Sequence, residues 1–157
     1  MAANTSPIFP LTPVVGNMNK LLTTAMTNTK SFDGTEAAGT AMVECLTAGA
    51  NGTRLDSFEV RVVSSNGATA SGTTAANLVR FWLNNGSANT TATNNQLLGE
   101  LELSAVANTA LATTKNPVFT LPVGKSIPAG YKVYAGTTVA VGGTNCALLV
   151  CAIAGDY

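Results

Sequence analysis

The sequence predicts an all-β fold: an antiparallel, jelly-roll-like β-sandwich with an extended N-terminal arm. Two observations predict it. Short apolar segments with period-two alternation, the pattern of strands, are separated by clusters of Gly, Asn, Ser and Thr. No segment carries a sustained apolar stripe at helical spacing with capping residues. The chain of 157 residues, 46% of them hydrophobic, is long enough for one domain with its own core.

The pattern divides the chain into an extended arm, residues 1–20, and a single sandwich domain, residues 21–157. Pro7, Pro10 and Pro13 fix the backbone of the arm and remove three hydrogen-bond donors. The arm also carries five apolar side chains that need cover: Ile8, Phe9, Leu11, Val14 and Val15. These side chains pack either on their own domain or on a neighbouring subunit, and we treat them as candidate interaction residues.

Strand-like composition recurs along the rest of the chain. The segments are 40–47, 54–63, 77–83, 96–106, 117–122, 126–138 and 145–153. The segment 117–122 is bounded by prolines, which favours an edge strand. The segment 145–153 is apolar on both faces, which favours the middle of a sheet with both faces covered. Residues 19–26 are compatible with a short helix, and the polar stretches 64–76 and 84–95 are predicted loops suited to partner contacts.

Charge is scarce and balanced. Charged residues make up 10% of the chain, against about 25% in typical domains, and eight basic residues balance eight acidic ones. We therefore expect no nucleic-acid partner. The chain has no His, which excludes Ser-His-Asp triads, Cys-His dyads and histidine metal sites. No motif assembles a nucleophile, a base and an orienting group, so we predict a non-enzyme with no catalytic residue, cofactor or metal ion.

The cysteines and the apolar segments bear on compartment. Cys45, Cys146 and Cys151 lie in strand-like segments without CxxC spacing, which predicts buried, reduced thiols. Prolines interrupt the N-terminal segment, and the most apolar run, 146–154, is about half the length that spans a bilayer. We therefore expect synthesis in a cytoplasm, with neither a signal peptide nor a membrane contact.

The densest charged set comprises Arg54, Asp56, Glu59, Arg61 and Arg80. Period-two spacing places Glu59 and Arg61 on one face of a strand, and we expect Arg80 on an adjacent strand. Cross-strand ion pairs, or a salt bridge between subunits, explain this set better than catalysis does. Arg54 and Arg80 therefore join the candidate interaction residues.

An ordered series of strand and turn motifs over residues 45–157 carries a resemblance to a known group of proteins. The motifs are NGTRLD at 51–56, LVRFWLNNG at 78–86, LLGE at 97–100, IPAGYKV at 127–133 and AGDY at 154–157. The series resembles the capsid decoration (cement) proteins of tailed bacteriophages, which have a jelly-roll fold. The resemblance implies a virion protein on the outer capsid surface, assembled in the host cytoplasm as a homodimer or homotrimer on the major capsid protein. It implies no particular functional residues, because the motifs are strand and turn positions.

Three function classes remain open on the sequence. The first is a structural virion protein that cements adjacent major capsid subunits. The second is a receptor- or glycan-binding module of a phage fibre or adhesin, with Tyr131, Tyr134 and Tyr157 as the candidate sugar-contacting residues. The third, a small hydrolase or isomerase, has the least support because the chain lacks His and an assembled dyad.

Overall fold

The computed structural model describes residues 10, 12–15, 20–26, 32–33, 41–64, 72–108, 117–142 and 146–157. Within these residues the chain forms eleven strands and one short 3-10 helix, with no α-helix. The strands are β1 (Thr12–Val15), β2 (Lys20–Leu22), β3 (Met42–Thr47), β4 (Thr53–Ser64), β5 (Gly72–Thr73), β6 (Asn77–Asn84), β7 (Asn95–Leu103), β8 (Ala107–Asn108), β9 (Val118–Ile127), β10 (Lys132–Thr137) and β11 (Cys146–Asp156). The 3-10 helix, Ala92–Asn94, lies between β6 and β7.

The main strands form two antiparallel sheets that pack face to face. Sheet I has the order β1-β11-β4-β9, with β2 pairing on β11 beside β1, and sheet II has the order β3-β10-β6-β7. Strands β5 and β8 form a separate two-stranded ribbon. The all-β antiparallel sandwich predicted from the sequence is confirmed. From β2 to β11 the chain crosses repeatedly between the two sheets, which is compatible with the jelly-roll-like arrangement predicted.

The core lies between the sheets and has an aromatic pair at its centre. Phe58, Val60 and Val62 point inward from β4, as their period-two spacing predicts, and are 0%, 0% and 3% exposed. Phe81 on β6 meets Phe58 from the opposite sheet, with ring centroids 4.0 Å apart and ring planes at 14°. The two sheets are therefore joined by a fully buried stacked pair.

A smaller hydrophobic cluster lies on the outer face of sheet II. Met42, Tyr134 and Trp82 come from the neighbouring strands β3, β10 and β6, and Met26 and Phe32 pack over them. The Phe32 ring centroid lies 5.3 Å from that of Tyr134 and 6.3 Å from that of Trp82. We call these five residues the aromatic cluster. It covers part of a sheet face that otherwise carries charged side chains.

The described part of the predicted arm is a strand of its own domain. In β1, Val14 pairs with Ala154 and Pro13 pairs with Gly155 of β11, at the edge of sheet I where a proline is tolerated. Val14 is half-buried and packs against the core. Packing on the same domain, one of the two arrangements considered for the arm, is therefore the one that Thr12–Val15 adopts.

Several strand boundaries differ from those expected. The predicted edge strand is confirmed as β9, but it continues through Pro122 to Ile127. It can do so because a register shift in the β4–β9 ladder lies beside Pro122, and prolines are accommodated at bulges and edges. The predicted strand 126–138 is consequently divided by a turn, with β10 beginning at Lys132. Likewise, the predicted strand 96–106 ends at Leu103 in β7.

The short helix considered for residues 19–26 is wrong in the part that the structure describes. Lys20–Leu22 forms β2 and pairs with β11, with Leu22 opposite Leu148. Both of these leucines are buried, so packing on β11 decides the conformation. The position of β11 agrees with the prediction from its two apolar faces. It lies inside sheet I, between β4 and the edge strands β1 and β2. Its outer face is covered only in part, because Leu149, Cys151 and Ile153 are half-buried.

Candidate interaction surfaces

The candidate residues of the arm fall into two groups. Ile8, Phe9 and Leu11 lie outside the described residues. Val14 and Val15 belong to β1, and the Val14 side chain packs against the domain core. Val14 therefore makes its contacts within its own domain. Any role of the arm in binding a partner depends on the residues that precede β1.

Arg54 lies at an accessible position near the beginning of β4. Its Nε donates a hydrogen bond to Asp56 Oδ1 at 2.9 Å, and the hydrogen bond and charge of Asp56 raise the pKa of the guanidinium. The two side chains are 49% and 52% exposed. A solvated pair of this kind adds little stability to the fold, and the role of Arg54 as an interaction residue stays a prediction.

Arg80 lies on the other sheet, contrary to the expectation that it would neighbour Arg61. The reason is that β6 pairs with β10 and β7, whereas β4 pairs with β11 and β9. Arg80 Nε donates to Glu100 Oε1 at 2.7 Å across the β6–β7 ladder. The predicted cross-strand ion pair is thus present, but with Glu100 as partner. Glu59 and Arg61 share one strand face as expected, with Nη2 and Oε2 2.8 Å apart.

Two buried donors find no acceptor among the described residues: Trp82 Nε1, within the aromatic cluster, and Arg80 Nη1. The two residues project from the same face of β6, because they are separated by one position. An unpaired buried donor destabilises a protein by about 1–3 kcal/mol. The Glu100 carboxylate accepts the Arg80 Nε hydrogen bond and so compensates in part for burial of the guanidinium.

Most cationic side chains on the described surface are paired with a carboxylate. Of the five cationic side chains described, only Lys125 lacks a carboxylate partner within 4.0 Å. The four pairs are Arg54–Asp56, Arg61–Glu59, Arg80–Glu100 and Lys132–Glu44. Glu102, exposed on β7, and Asp156 at the end of β11 have no cationic partner among the described residues, so the pairing covers most of the described cations but not every carboxylate.

A shallow cavity of about 170 Å³ opens at the end of the sandwich where β6 connects to β7. Its walls come from Tyr131, just before β10, from Leu83 and Asn85, and from residues 93–96. The Tyr131 ring is half-buried and packs against the core on one side. Every lining residue is uncharged, and most carry an amide or a hydroxyl group.

The loop 84–95 beside this cavity is fixed by its own amide side chains. Asn84 Nδ2 donates to Asn95 Oδ1 at 2.7 Å, and Asn85 Nδ2 donates to Asn94 Oδ1 at 3.3 Å. Asn95 Nδ2 donates to the Phe32 carbonyl at 2.9 Å, which ties the loop to the aromatic cluster. These bonds hold this wall of the cavity in a defined shape.

The three tyrosines considered for sugar contact have different surroundings. Tyr131 lines the cavity. Tyr134 belongs to the aromatic cluster, where burial and the nearby Glu44 charge raise its pKa. The Tyr157 hydroxyl lies 2.9 Å from Ser126 Oγ. Tyr131 is therefore the tyrosine that the fold places in a recess.

The cysteines are free thiols. Cys45 and Cys146 are buried, as predicted, whereas Cys151 is only half-buried on the outer face of sheet I. Burial raises the pKa of both Cys146 and Cys151. Among the described residues, no three side chains of His, Cys, Asp or Glu come together in a way that could hold a metal ion.

The chain shows no match to known proteins: no protein-family model, no curated protein and no solved structure matches it. In the part of the chain that the structure describes, no helix has the length and apolar character needed to cross a membrane.

Proposed function

We propose that this chain is a structural virion protein that binds the outer surface of a phage capsid and cements adjacent major capsid subunits, as a homodimer or homotrimer. The observation that carries the proposal is that four of the five described cationic side chains on this two-sheet sandwich are paired locally with a carboxylate. A capsid lattice brings many copies of one surface close together, and unpaired like charges would then repel. Paired charges avoid that repulsion.

The composition of the exposed loops supports the same function. Ordering long side chains such as Lys and Glu at a contact costs entropy. The loop 84–95 contains no charged residue, and its amides already hold it in one shape. Such loops lose little entropy on docking. Individually weak contacts, repeated over a lattice by an oligomer, give tight retention through multivalency. The strand and turn motifs that resemble decoration proteins point to the same role.

The first experiment is reconstitution on shells prepared without this chain. We expect the added protein to sediment with the shells at a fixed ratio to the major capsid protein. We also expect it to raise the temperature at which the shells disrupt, because a clamp across subunits stabilises only the assembled state. Failure to co-sediment, or binding that leaves the disruption temperature unchanged, would contradict the cement function.

A second experiment tests the arm. A Cβ at Gly155 would lie 2.5 Å from Pro10 Cβ, which is too close for two carbon atoms. Gly155→Ala therefore displaces Pro10 from β11. Deleting residues 1–9 instead leaves all described strands in place. We expect both variants to keep the β-sheet circular dichroism signal and to be retained several-fold less on shells. Thr120→Ala, at an exposed position of β9, is the matched control. Equal retention of all variants would remove the arm from the binding mechanism.

A further inference from the structure

The cavity beside Tyr131 has the chemistry of a binding site for an uncharged, polar ligand. Its lining carries no charged side chain, so a carboxylate or phosphate ligand would find no cation to pair with. Its amides and hydroxyls would instead hydrogen-bond to a ligand that both donates and accepts. The Tyr131 ring and Leu83 supply apolar surface in the same recess.

Some polar groups of this lining are available to a ligand. The hydroxyls of Thr93 and Tyr131 and the amide of Gln96 make no side-chain hydrogen bond to any described residue. Thr93 and Gln96 are exposed. The neighbouring Asn85 and Asn94 amides are bonded to each other, which fixes the wall rather than serving the ligand. Free groups on a fixed wall favour binding, because few side chains must be ordered when the ligand arrives.

The size of the cavity limits the ligand. Its volume of about 170 Å³ is below the roughly 300–1,000 Å³ of sites for drug-sized molecules. A single pyranose ring is small, uncharged and rich in hydroxyls, with an apolar C–H face that stacks on an aromatic ring. A peptide segment would need a longer groove or an unpaired strand edge. We propose that this cavity binds one pyranose unit, the terminal sugar of a neutral glycan. This proposal rests on the lining of the cavity and not on the proposed function, although loop 84–95 contributes to both.

The experiment uses the full chain and a panel of neutral monosaccharides, comprising hexoses and N-acetylhexosamines. Saturation-transfer NMR at about 10 mM sugar detects the weak binding expected of one ring. Gln96→Ala and Tyr131→Phe each remove one polar group while leaving the core side of the cavity filled. We expect at least one sugar to bind, and each variant to weaken it about five- to tenfold. Thr120→Ala on β9, outside the cavity, should bind as the wild type does.

Three outcomes would overturn the proposal: no binding of any neutral sugar, wild-type binding by both cavity variants, or binding confined to anionic sugars. Binding of peptides from a random library at Tyr131, without sugar binding, would assign the cavity to a protein partner instead. Retention on shells separates this site from the proposed function. Gln96→Ala should be retained on shells as the wild type is, so failure of either proposal leaves the other standing.

Discussion

The stacked pair at the centre of the sandwich gives the sharpest test of the fold. Phe58 and Phe81 come from opposite sheets, are both 0% exposed, and stack at 4.0 Å. Truncating one ring to Ala removes a buried side chain and leaves a cavity, at a cost of about 3–5 kcal/mol. For a domain of this size, each kcal/mol lowers Tm by roughly 2–4 °C. We therefore expect Phe81→Ala to lower Tm by about 6–20 °C.

A double-mutant cycle then isolates the contact between the rings. Phe58→Leu and Phe81→Leu keep the core filled, and together with the double variant they allow urea unfolding to measure the coupling free energy. We expect a coupling of about 0.5–1.5 kcal/mol, the value of an aromatic pair beyond its buried area. Leu97→Ala is the control, because Leu97 is 42% exposed and its truncation should change stability by less than about 0.5 kcal/mol. Additive effects of the two Leu variants would refute the stacking across the sheets.

Three further perturbations test the surface and the aromatic cluster. Glu100→Gln leaves the Arg80 guanidinium, which is 18% exposed, without its carboxylate and should lower the free energy of unfolding by about 1–3 kcal/mol. Asp56→Asn, in a solvated pair, should lower it by less than about 1 kcal/mol in the same urea assay. Burial raises the pKa of Tyr134 above its ordinary 10.0. Its stabilising contribution is therefore complete below pH 10.0 and lost as the pH rises through the folded-state pKa, so Tyr134→Phe should flatten the alkaline decline in unfolding free energy. Phe32→Ala should uncover Trp82, the sole tryptophan, and shift its fluorescence to longer wavelength.

Each of these perturbations has an outcome that contradicts it. Equal costs for the Glu100 and Asp56 variants would mean that the two ion pairs are equally solvated. An unchanged alkaline slope in Tyr134→Phe would place that hydroxyl in water rather than in the aromatic cluster. Unshifted tryptophan fluorescence in Phe32→Ala would mean that Phe32 does not cover Trp82.

Much of the fold follows from local pattern. Period-two spacing places Phe58, Val60 and Val62 on one face, and that face is the core side of β4. The two apolar faces of β11 likewise predict its interior position in sheet I. These features depend on the residues of one strand alone, so a single sequence carries them.

The features that the sequence does not predict depend on which strands meet. Arg80 lies on a different sheet from Arg61 because strand order is set by long-range pairing. Leu22 lies in a strand rather than a helix because Leu148 lies opposite it. The end of β9 depends on a register shift beside Pro122 that no local pattern marks.

For the cavity, too, the sequence predicts the local part but not the strand pairing that completes it. The density of Asn and Thr in residues 84–95 predicts a polar loop, and that loop is present. The cavity needs Tyr131 as well, and only the pairing of β10 with β6 brings this residue to the loop. The sequence names Tyr131 only as one of three candidate tyrosines, because nothing in the Pro-Ala-Gly-Tyr segment shows which of the three lies in a recess. For Ile8, Phe9 and Leu11, the assignment to an interface stays a prediction.

The most direct test of the proposed function is the copy number of this chain in gradient-purified virus particles from its source, measured by quantitative mass spectrometry. A cement protein that binds across a capsid lattice should be present in a fixed ratio to the major capsid protein, on the order of hundreds of copies per particle. A handful of copies per particle, or none, would contradict the account.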